Sequence, residues 1–284
     1  MKIDLHSHTT QSDGALTPQE LVMRAQQMQV DVLAITDHDT IAGIAQAKEY
    51  AKQYAPKLSV LSGVEISTRW HGFEIHVLGL NVDEQDATFL ARLGEQQQKR
   101  EDRSLTIIDK LQKAGIDIEL SEVKARAKGV VSRGHFAQVL VSKNICSHPQ
   151  QAFTQFLGKD KKAYATPKWI DLATAVQWIK EAKGQAVLAH PYHYDMTTKW
   201  LRRLLTDFKA AGGEAMEVQH SNLAKPKHDM MVSLALEYGL LASAGSDFHA
   251  PSRWTELGKR LQLPDTISPI WHDWQHLNEN IRES

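Results

Sequence analysis

Near its start the chain carries two histidines that are one residue apart, in the stretch DLHSHTTQSDG. His6 and His8 close a short apolar run that is typical of a β-strand, and residues two apart in a strand project from the same face. Two imidazoles on one face can hold one metal ion, and parallel barrels keep their active sites at the carboxyl ends of their strands. An isolated pair also occurs as surface or core histidines, so the other segments decide between the two interpretations.

Side chains that can bind metal recur in five further segments that contain an apolar run typical of a strand. These segments are ITDHD, GVEIS, EIHVLGL, LAHP and GSDFH. Most of the histidines and carboxylates stand at the carboxyl end of the run, whereas His76 stands in the middle. Scattered core histidines would not collect at one end of a sheet, so the pattern predicts a shared metal centre. Its candidate ligands are His6, His8, His38, Glu65, His76, His190, Asp247 and His249.

The chemistry of this ligand set favours particular metals and a particular reaction. Imidazoles and carboxylates suit Mn²⁺, Fe²⁺ or Zn²⁺ and disfavour metals that seek thiolates. A catalytic zinc usually uses three protein ligands, so a set of this size predicts two or three ions that share bridging carboxylates. Clustered ions activate water and stabilise the oxygens of a phosphoryl group during in-line displacement. We therefore expect phosphoester hydrolysis.

The elements that must position these ligands alternate over the first 80 residues. The segments KIDLHSH, VDVLAITDHD and LSVLSGVEIS are typical of strands, and LTPQELVMRAQQMQ and IAGIAQAKEYAKQYA of helices. Thr17 is a good N-cap, Pro18 fits the first helical position, and Glu20 completes a capping box. The next strand, FEIHVLGL, follows after a short turn. This β-α-β-α-β pattern predicts a parallel sheet or barrel.

The pattern changes after residue 85. Residues from about 86 to 180 have helical periodicity, and strands return as QAVLAHP, AMEVQHS and LLASAGSDFH. We predict an α/β fold, a (β/α) barrel of about seven strands formed by residues 1–85 and 181–284, with a small helical insertion at about 86–180. From Lys99 to Lys168 the chain has 14 Lys/Arg against 7 Asp/Glu, within a chain of net charge −1. This basic segment is either a solvated helical surface or a cover for an anionic ligand.

Composition limits the class of protein. A chain of 284 residues with 42% hydrophobic residues can bury a substantial core. No apolar run approaches the ~18 residues of a membrane helix, and the N-terminal apolar stretch is too short for a secretory signal. The single cysteine, Cys146, excludes an internal disulfide. We expect a cytoplasmic protein that does not associate with membranes, and no required protein partner is evident.

Together, DLHSHTTQSDG, ITDHD, GVEIS, AHP and GSDFH resemble the motifs of the PHP (polymerase and histidinol phosphatase) family of metallohydrolases. The resemblance spans nearly the whole barrel and implies a distorted (β/α)7 PHP barrel with a trinuclear metal centre. The stretches EIHVLGLN and VSRGHFAQVLV are most similar to one branch of that family. This branch consists of 5′→3′ exoribonucleases of the RNase AM type that also act as phosphatases on nucleoside 3′,5′-bisphosphates.

The resemblance implies three ligand sets that share Glu65. They are His6, His8, Glu65 and Asp247 for one ion, Asp13, His38 and His249 for a second, and Glu65, His76 and His190 for a third. Without the family pattern, Asp13 in SDG would be interpreted as a turn aspartate. Four ligands are expected to position the attacking hydroxide: Asp13, His38, Glu65 and Asp247. The expected cofactors are two or three Mn²⁺ ions, with Fe²⁺ or Zn²⁺ as alternatives.

Substrate contacts are expected from the basic insertion and from the fifth barrel strand. Arg133 and His135 lie in SRGHF at a predicted helix start, where an arginine and the helix N-terminus together can bind phosphate. His193, in HPYHY, stands where relatives of this branch tend to carry arginine, and Lys168, in TPKW, is a lesser candidate. Four tryptophans can either stack a nucleotide base or pack in the core: Trp70, Trp169, Trp200 and Trp254.

The expected function is hydrolysis of the 3′ phosphoester next to a 5′-phosphorylated nucleotide, with nucleoside 3′,5′-bisphosphates and short 5′-phosphorylated RNA as substrates. One alternative is a small-molecule phosphatase of the same superfamily that acts on histidinol phosphate or a sugar phosphate. An amidohydrolase also begins with His-x-His, but it would not need ITDHD or Asp13, and the fourth strand carries no lysine for a bridging carbamate. A third alternative is a metal-stabilised barrel without catalysis, which would have lost ligands.

Overall fold

The computed structural model describes residues 1–274, and its centre is one mixed β-sheet. The strands, in chain order, are β1 (Ile3–Asp4), β2 (Val32–Ile35), β3 (Ser59–Trp70), β4 (Phe73–Leu80), β5 (Ile170–Asp171), β6 (Gln185–Leu188), β7 (Ala215–Gln219) and β8 (Leu241–Ala244). Around the sheet the order is β1-β2-β3-β4-β6-β7-β8, and β5 pairs with β3 outside this path. The strands expected from the sequence are therefore present. The short β5 was not expected.

Nine α-helices surround or interrupt the described part of this sheet. They are α1 (Pro18–Gln27), α2 (Ile44–Tyr54), α3 (Ala87–Lys113), α4 (Leu120–Lys124), α5 (Arg133–Ser142), α6 (Pro149–Ala152), α7 (Leu172–Glu181), α8 (Thr198–Ala210) and α9 (Lys225–Glu237). The start of α1 is as predicted, because the Thr17 hydroxyl accepts from the Glu20 N–H and the Glu20 carboxylate accepts from the Thr17 N–H. The reciprocal bonds satisfy two backbone donors that the helix itself leaves free.

The sheet is rolled into a nearly closed barrel. Most neighbouring strands are parallel, but β4 is antiparallel to both β3 and β6. The segments after β1 and β8 meet, because the Leu5 N–H donates to the Ala244 carbonyl at 3.1 Å and the His8 N–H donates to the Phe248 carbonyl at 2.9 Å. The predicted fold class, an α/β distorted barrel with seven strands on its path, is confirmed.

The long β3–β4 hairpin explains why His76 stands in the middle of its apolar run. Because β4 runs antiparallel to β3, its first half lies at the end of the barrel where the other strands finish. Ser67 pairs with His76 and Glu65 pairs with Leu78, so His76 shares a face with both Ser67 and Glu65. The departure from the strand-end pattern is therefore a consequence of reversed strand direction.

The helical segment between β4 and β5 has a hydrophobic core of its own. Its buried side chains run from Ile107 to Ala165 and include Phe136 and Leu140 of α5. In contrast, α7 packs Val176 and Ile179 into the barrel core. The division into residues 1–85, about 86–180 and 181–284 stays a prediction, and residues 275–284 lie outside the described part.

Among residues 1–274, no helix combines the length and the apolar composition that crossing a membrane requires.

Candidate metal centre and phosphate cleft

All nine side chains expected to bind metal come together at the end of the barrel where most of its strands finish. Each of them lies within 4.0 Å of another member of the set. His6 and His8 follow β1, His38 follows β2, and Asp247 follows β8. Glu65 and His76 come from the β3–β4 hairpin, as the register requires.

Glu65 lies at the middle of the cluster and is almost completely buried. Its Oε1 lies 2.7 Å from His76 Nδ1 and 2.9 Å from His190 Nε2. Its Oε2 lies 2.9 Å from His38 Nδ1 and 3.4 Å from the Nε2 atoms of both His6 and His8. A carboxylate surrounded on both oxygens by imidazole nitrogens is placed to bridge metal ions.

The first ligand group is formed by His6, His8 and Asp247. The two Nε2 atoms lie 3.1 Å apart, and Asp247 Oδ1 lies 3.3 Å from the first and 3.2 Å from the second. Tetrahedral bonds of about 2.0–2.1 Å place ligand atoms roughly 3.3 Å from each other. The observed spacing therefore matches donors arranged around one divalent ion.

Asp13 reaches the cluster because the loop after β1 folds back on itself. The Thr9 carbonyl accepts from the N–H groups of Ser12 and Gly14 at 3.1 and 2.9 Å. A Cβ at Gly14 would lie 2.3 Å from the His8 carbonyl oxygen, so this tight loop requires glycine. Asp13 Oδ1 consequently lies 3.3 Å from His249 Nε2.

Three groups of ligand atoms are each compact enough to hold one ion. They are His8, Asp13, His38 and His249; His6, His8 and Asp247; and His38, Glu65 and His76, with the atoms of each group within 4.8 Å of one another. These groups overlap with the three expected sets but divide His8 and His38 differently and omit His190. The assignment of ligands to particular ions stays a prediction.

Several buried ligand atoms at this site make no hydrogen bond within the described part of the protein. Asp13 Oδ1, His38 Nδ1 and Glu65 Oε2 are buried and, although they lie 2.9–3.3 Å from other ligand atoms of the cluster, they form no well-directed hydrogen bond among residues 1–274. Buried acceptors without partners are costly, and a bound cation would remove that cost. The donor types, their spacing and these orphaned atoms all fit divalent metal ions.

The charges inside the cluster keep its carboxylates ionised. Burial alone would raise the pKa of Glu65, but His76, His38 and His6 outweigh it and lower this pKa well below the usual range. Burial and the neighbouring His249 lower the pKa of His8 to about 3, so its imidazole is neutral. Neighbouring carboxylates outweigh burial and raise the pKa values of His6, His38, His190 and His249, so metal binding would displace protons from these imidazoles.

Sequence reasoning missed Glu217, which accepts hydrogen bonds from two of the expected ligands, His6 and His190. This fully buried residue of β7 accepts from His6 Nδ1 at 3.0 Å and from the His190 N–H at 2.6 Å. A hydrogen bond at Nδ1 fixes the tautomer and leaves Nε2 free to bind metal. The only signal in the sequence was a carboxylate inside the apolar strand AMEVQHS.

Asp37 and Asp39 flank His38 but have supporting contacts of their own. Asp37 accepts from the Thr9 N–H, the Thr9 hydroxyl and the Ser12 hydroxyl at 2.5–2.7 Å, and thereby holds the loop that carries Asp13. Asp39 accepts from Arg100 Nε at 2.6 Å. Their role is to hold the neighbouring loop and α3.

A cleft beside the ligands is lined by three arginines. Arg100 and Arg103 come from α3, and Arg133 is the first residue of α5. The same cleft is lined by three of the expected ligands, Asp13, His38 and His76, and by the aromatic rings of Phe153 and Trp169. The cleft therefore joins a metal centre to a cationic wall.

Glu74 and Trp169 organise the arginines of this wall. Glu74 accepts two bonds from Arg103 at 3.2 and 3.3 Å and one from Arg133 at 3.4 Å. Arg100 and Arg103 both lie over the Trp169 ring, at 5.0 and 5.4 Å. Burial lowers the pKa of Arg103 to about 10, which still leaves it charged near neutral pH. The sequence pointed to Arg133 but missed Arg100 and Arg103, which resemble solvated residues of a helix.

The other residues that were expected to contact substrate do not line this cleft. His135 is buried, and its Nδ1 accepts from the Ser132 N–H at 3.0 Å as part of the α5 cap. The His193 side chain is exposed at the rim, and partial desolvation of its imidazole together with the neighbouring His190 lowers its pKa to about 4. Lys168 is exposed one residue before Trp169. The substrate roles of these residues stay predictions.

Comparison with known proteins gives one family match and relatives that span nearly the whole chain. A family model described as the PHP domain matches residues 4–219. A 5′-3′ exoribonuclease of Haemophilus influenzae is 46% identical over 95% of this chain and 98% of that protein. A 3′,5′-nucleoside bisphosphate phosphatase of Chromobacterium violaceum is 36% identical over 95% of each chain.

A solved structure from Chromobacterium violaceum, described as an amidohydrolase with bound sulfate and no metal, has the same fold. It superimposes with a TM-score of 0.88 and 36% identity, over 99% of this chain and 97% of that one.

Proposed function

The chain belongs to the PHP domain family, and from that premise we propose that it is a metal-dependent phosphoesterase that acts on 5′-phosphorylated nucleotides. It hydrolyses the phosphoester at the 3′ position, either in a nucleoside 3′,5′-bisphosphate or at the first linkage of a short RNA. The names of two relatives support this proposal: the protein of Chromobacterium violaceum is named a 3′,5′-nucleoside bisphosphate phosphatase, and that of Haemophilus influenzae a 5′-3′ exoribonuclease.

One observation carries this proposal. The cleft that contains Arg100, Arg103 and Arg133 is continuous with the expected ligands Asp13 and His76. A substrate with two phosphoryl groups can place one on the guanidinium groups and the other at the metal centre, since arginine binds phosphate bidentately. A single phosphate monoester would need only one of these two sites.

The residues of the chain have separate tasks in this reaction. The nine expected ligands would hold two or three divalent ions, with Mn²⁺ as the first choice; such ions, when bound, activate water and stabilise the phosphoryl oxygens. Glu217 orients His6, and Asp37 fixes the loop that presents Asp13. Arg133 binds the terminal 5′-phosphate and sets its distance from the reacting 3′ phosphoester.

The same geometry accounts for both activities. In a bisphosphate the 3′ group is a monoester, and its hydrolysis releases inorganic phosphate. In RNA the 3′ group is a diester, and its hydrolysis releases a mononucleotide from the 5′ end. The cleft lined by Arg100, Arg103 and Arg133 accepts either substrate, because in both cases these arginines contact only the first nucleotide. The cytoplasmic location and the identity of the metal stay predictions.

The direct test is product chromatography with Mn²⁺-loaded protein. The substrates are a 5′-phosphorylated RNA of a few nucleotides, the same RNA with a 5′-hydroxyl, and a nucleoside 3′,5′-bisphosphate. We expect stepwise release of mononucleotides from the phosphorylated RNA, little release from the hydroxyl form, and phosphate release from the bisphosphate. Intact RNA and bisphosphate, with turnover of histidinol phosphate or a sugar phosphate, would instead identify a small-molecule phosphatase.

Arg133→Ala tests the proposed phosphate contact within that assay. The variant is expected to raise KM and to abolish the preference for a 5′-phosphate, while kcat changes less, because the interaction is made in the ground state as well. Arg126→Ala is the matched control, since Arg126 is an exposed arginine of the same basic segment outside the cleft. Unchanged selectivity in Arg133→Ala would remove Arg133 from the site.

A further inference from the structure

The helical insertion, at about residues 86–180, contacts one side of the metal centre. The loops after β6, β7 and β8 form another side. Gln97 of α3 donates to the Asp39 carbonyl after β2 at 3.0 Å, and Arg103 and Arg133 pair with Glu74 of β4. The cationic wall therefore stands over β2 to β4. A nucleotide with its 5′-phosphate on that wall and its 3′ phosphoester at the ligands extends toward β6, β7 and β8.

We call the loops at residues 191–196, 220–224 and 250–256 the β6–β8 rim. The rim contains unsatisfied polar groups, since the hydroxyls of Tyr192 and Ser221 are buried and have no hydrogen-bond partner among residues 1–274. The Tyr192 ring lies 4.6 Å from the His193 ring and 5.6 Å from the His220 ring, by their centroids. His193 in turn lies 6.0 Å from the expected ligand His190. Unsatisfied buried hydroxyls beside the exposed His193 ring and the partly buried His220 ring indicate a polar ligand.

Trp254 is the most exposed large hydrophobic residue in the described part of the chain, with 71% of its surface accessible. Its backbone is nevertheless held, because its carbonyl accepts from Asn222 Nδ2 of the neighbouring loop and its N–H donates to Ser252 Oγ at 3.1 Å. The indole is therefore presented from an anchored loop. Trp254 stands five positions after His249 in the chain, so their Cα atoms lie within about 17 Å of each other.

Two positively charged side chains belong to, or contact, the loop that carries Trp254. Arg253 is exposed beside Trp254, and the Arg253 carbonyl accepts from Lys259 Nζ at 3.0 Å, which brings a second cation to the loop. Stacking platforms combined with cations are the common means of binding single-stranded nucleic acid, because every base has a π-face and every linkage a negative charge.

We propose that the β6–β8 rim binds the RNA nucleotide that follows the scissile phosphoester, with its base stacked on Trp254 and its 3′ phosphate near Arg253. This inference rests on the proposed function and deepens it. It assigns the two activities different contacts: a nucleoside 3′,5′-bisphosphate ends at the metal centre and does not reach Trp254, whereas RNA continues across the rim.

The test compares Trp254→Ala with wild-type enzyme on three substrates, all with Mn²⁺ present. They are a 5′-phosphorylated trinucleotide, the same trinucleotide with an abasic second residue, and a nucleoside 3′,5′-bisphosphate. We expect kcat/KM on the intact trinucleotide to fall roughly 5- to 100-fold, the range that stacking of one base supplies. Activity on the bisphosphate stays unchanged, and the variant no longer distinguishes the abasic trinucleotide from the intact one.

Two further variants separate stacking from general damage to the protein. Trp254→Phe retains an aromatic face and should keep most of the trinucleotide activity. Tyr54→Ala removes an aromatic side chain that is 52% exposed at the last residue of α2, near the end of the barrel where β3 begins, and should change nothing.

Each other outcome decides against the inference. Wild-type activity of Trp254→Ala on RNA, equal losses on RNA and bisphosphate, or continued discrimination against the abasic substrate would overturn it. If the wild-type enzyme hydrolyses the bisphosphate but not RNA, this inference fails while the phosphatase activity stands. If it hydrolyses neither, the proposed function fails and this inference fails with it.

Discussion

At the scale of single residues, Asp13 gives the sharpest prediction. Asp13→Asn replaces a buried carboxylate that lies 3.3 Å from His249 with a neutral amide of the same size. We expect kcat to fall at least about 100-fold, while the circular dichroism spectrum stays unchanged, because a ligand is lost but no volume. Activity assays and metal analysis of the purified variant check both parts.

The matched control for this change is Asp109→Asn, an exposed aspartate of α3 that pairs only with Lys113 along the same helix. It should retain full activity. Substantial activity in Asp13→Asn would contradict the assignment of Asp13 to the metal centre.

Glu217 gives a second prediction at this scale, and its role is positional. In Glu217→Gln the His6 tautomer is no longer fixed by a charged acceptor, so we expect metal affinity to fall about 10- to 100-fold. At saturating metal, KM for the substrate should be unchanged, since Glu217 faces away from the cleft. Metal titration followed by calorimetry, together with steady-state kinetics, separates the two quantities.

Glu214→Gln is the control for Glu217. The Glu214 carboxylate also accepts from a backbone N–H of β6, that of Ala186 at 3.0 Å, but it lies before β7 and away from the ligands. Wild-type metal affinity in Glu217→Gln, or an equal loss in Glu214→Gln, would show that Glu217 does not tune the centre.

Single residues also show what the sequence could not reveal. His6, His8 and His38 could be identified because each stands at the end of an apolar run. Glu217 also lies in an apolar run, but a lone buried carboxylate has no spacing that distinguishes it from other buried acids. The sequence could not identify Arg100 as a residue of the cleft, because its ion-pair partner Asp39 lies 61 residues earlier in the chain. Contacts of this kind depend on tertiary structure.

At the scale of elements, the loop after β1 depends on a glycine. Gly14→Ala would place a Cβ 2.3 Å from the His8 carbonyl oxygen, so the loop must move and Asp13 with it. We expect the free energy of unfolding to fall by about 1–3 kcal/mol and the activity to be largely lost. Urea denaturation and the RNA assay measure these two effects.

Gly94→Ala is a control that should change the free energy of unfolding in the opposite direction. Gly94 lies within α3, and a Cβ there meets nothing within 4 Å. Replacing a helical glycine by alanine should raise the free energy of unfolding by roughly 0.8–1 kcal/mol without changing the activity. A stable, active Gly14→Ala protein would contradict the close approach that the structure gives to this loop.

Elements with strong local signals could be predicted, and elements that depend on partners could not. The capping box of α1 needs only Thr17 and Glu20, and it is present as expected. The two-residue strand β5 exists because it pairs with Thr68 and Arg69 of β3, so no local pattern predicts it. For the same reason the sequence indicated a turn after β3 but not the antiparallel pairing of β4 with β6.

At the scale of the whole molecule, metal should contribute to stability. The centre gathers ionised carboxylates and histidines whose unpaired atoms face one another, so the metal-free protein bears an uncompensated cost. We expect Mn²⁺ at about 100 times its dissociation constant to add ~2.7 kcal/mol per site. For a chain of 284 residues, that corresponds to a rise in Tm of roughly 4–5 °C per site over chelator-treated protein.

Differential scanning calorimetry of chelated and reloaded protein measures this shift. A potassium salt at the same ionic strength is the control, and Asp13→Asn should show a smaller rise than the wild-type protein. Equal Tm values with and without Mn²⁺ would contradict a centre that binds metal in the folded state alone.

The ligands reach from His6 to His249, so the first and the last strands of the barrel must meet before the centre exists. During translation, residues 247–249 have to leave the ribosome before this can happen. A chain that terminates early carries most of the ligands but lacks Asp247 and His249, and so has no complete site. For a protein proposed to degrade RNA, the fold therefore delays the complete site until residues 247–249 have been synthesised, and a product truncated before Asp247 lacks that site.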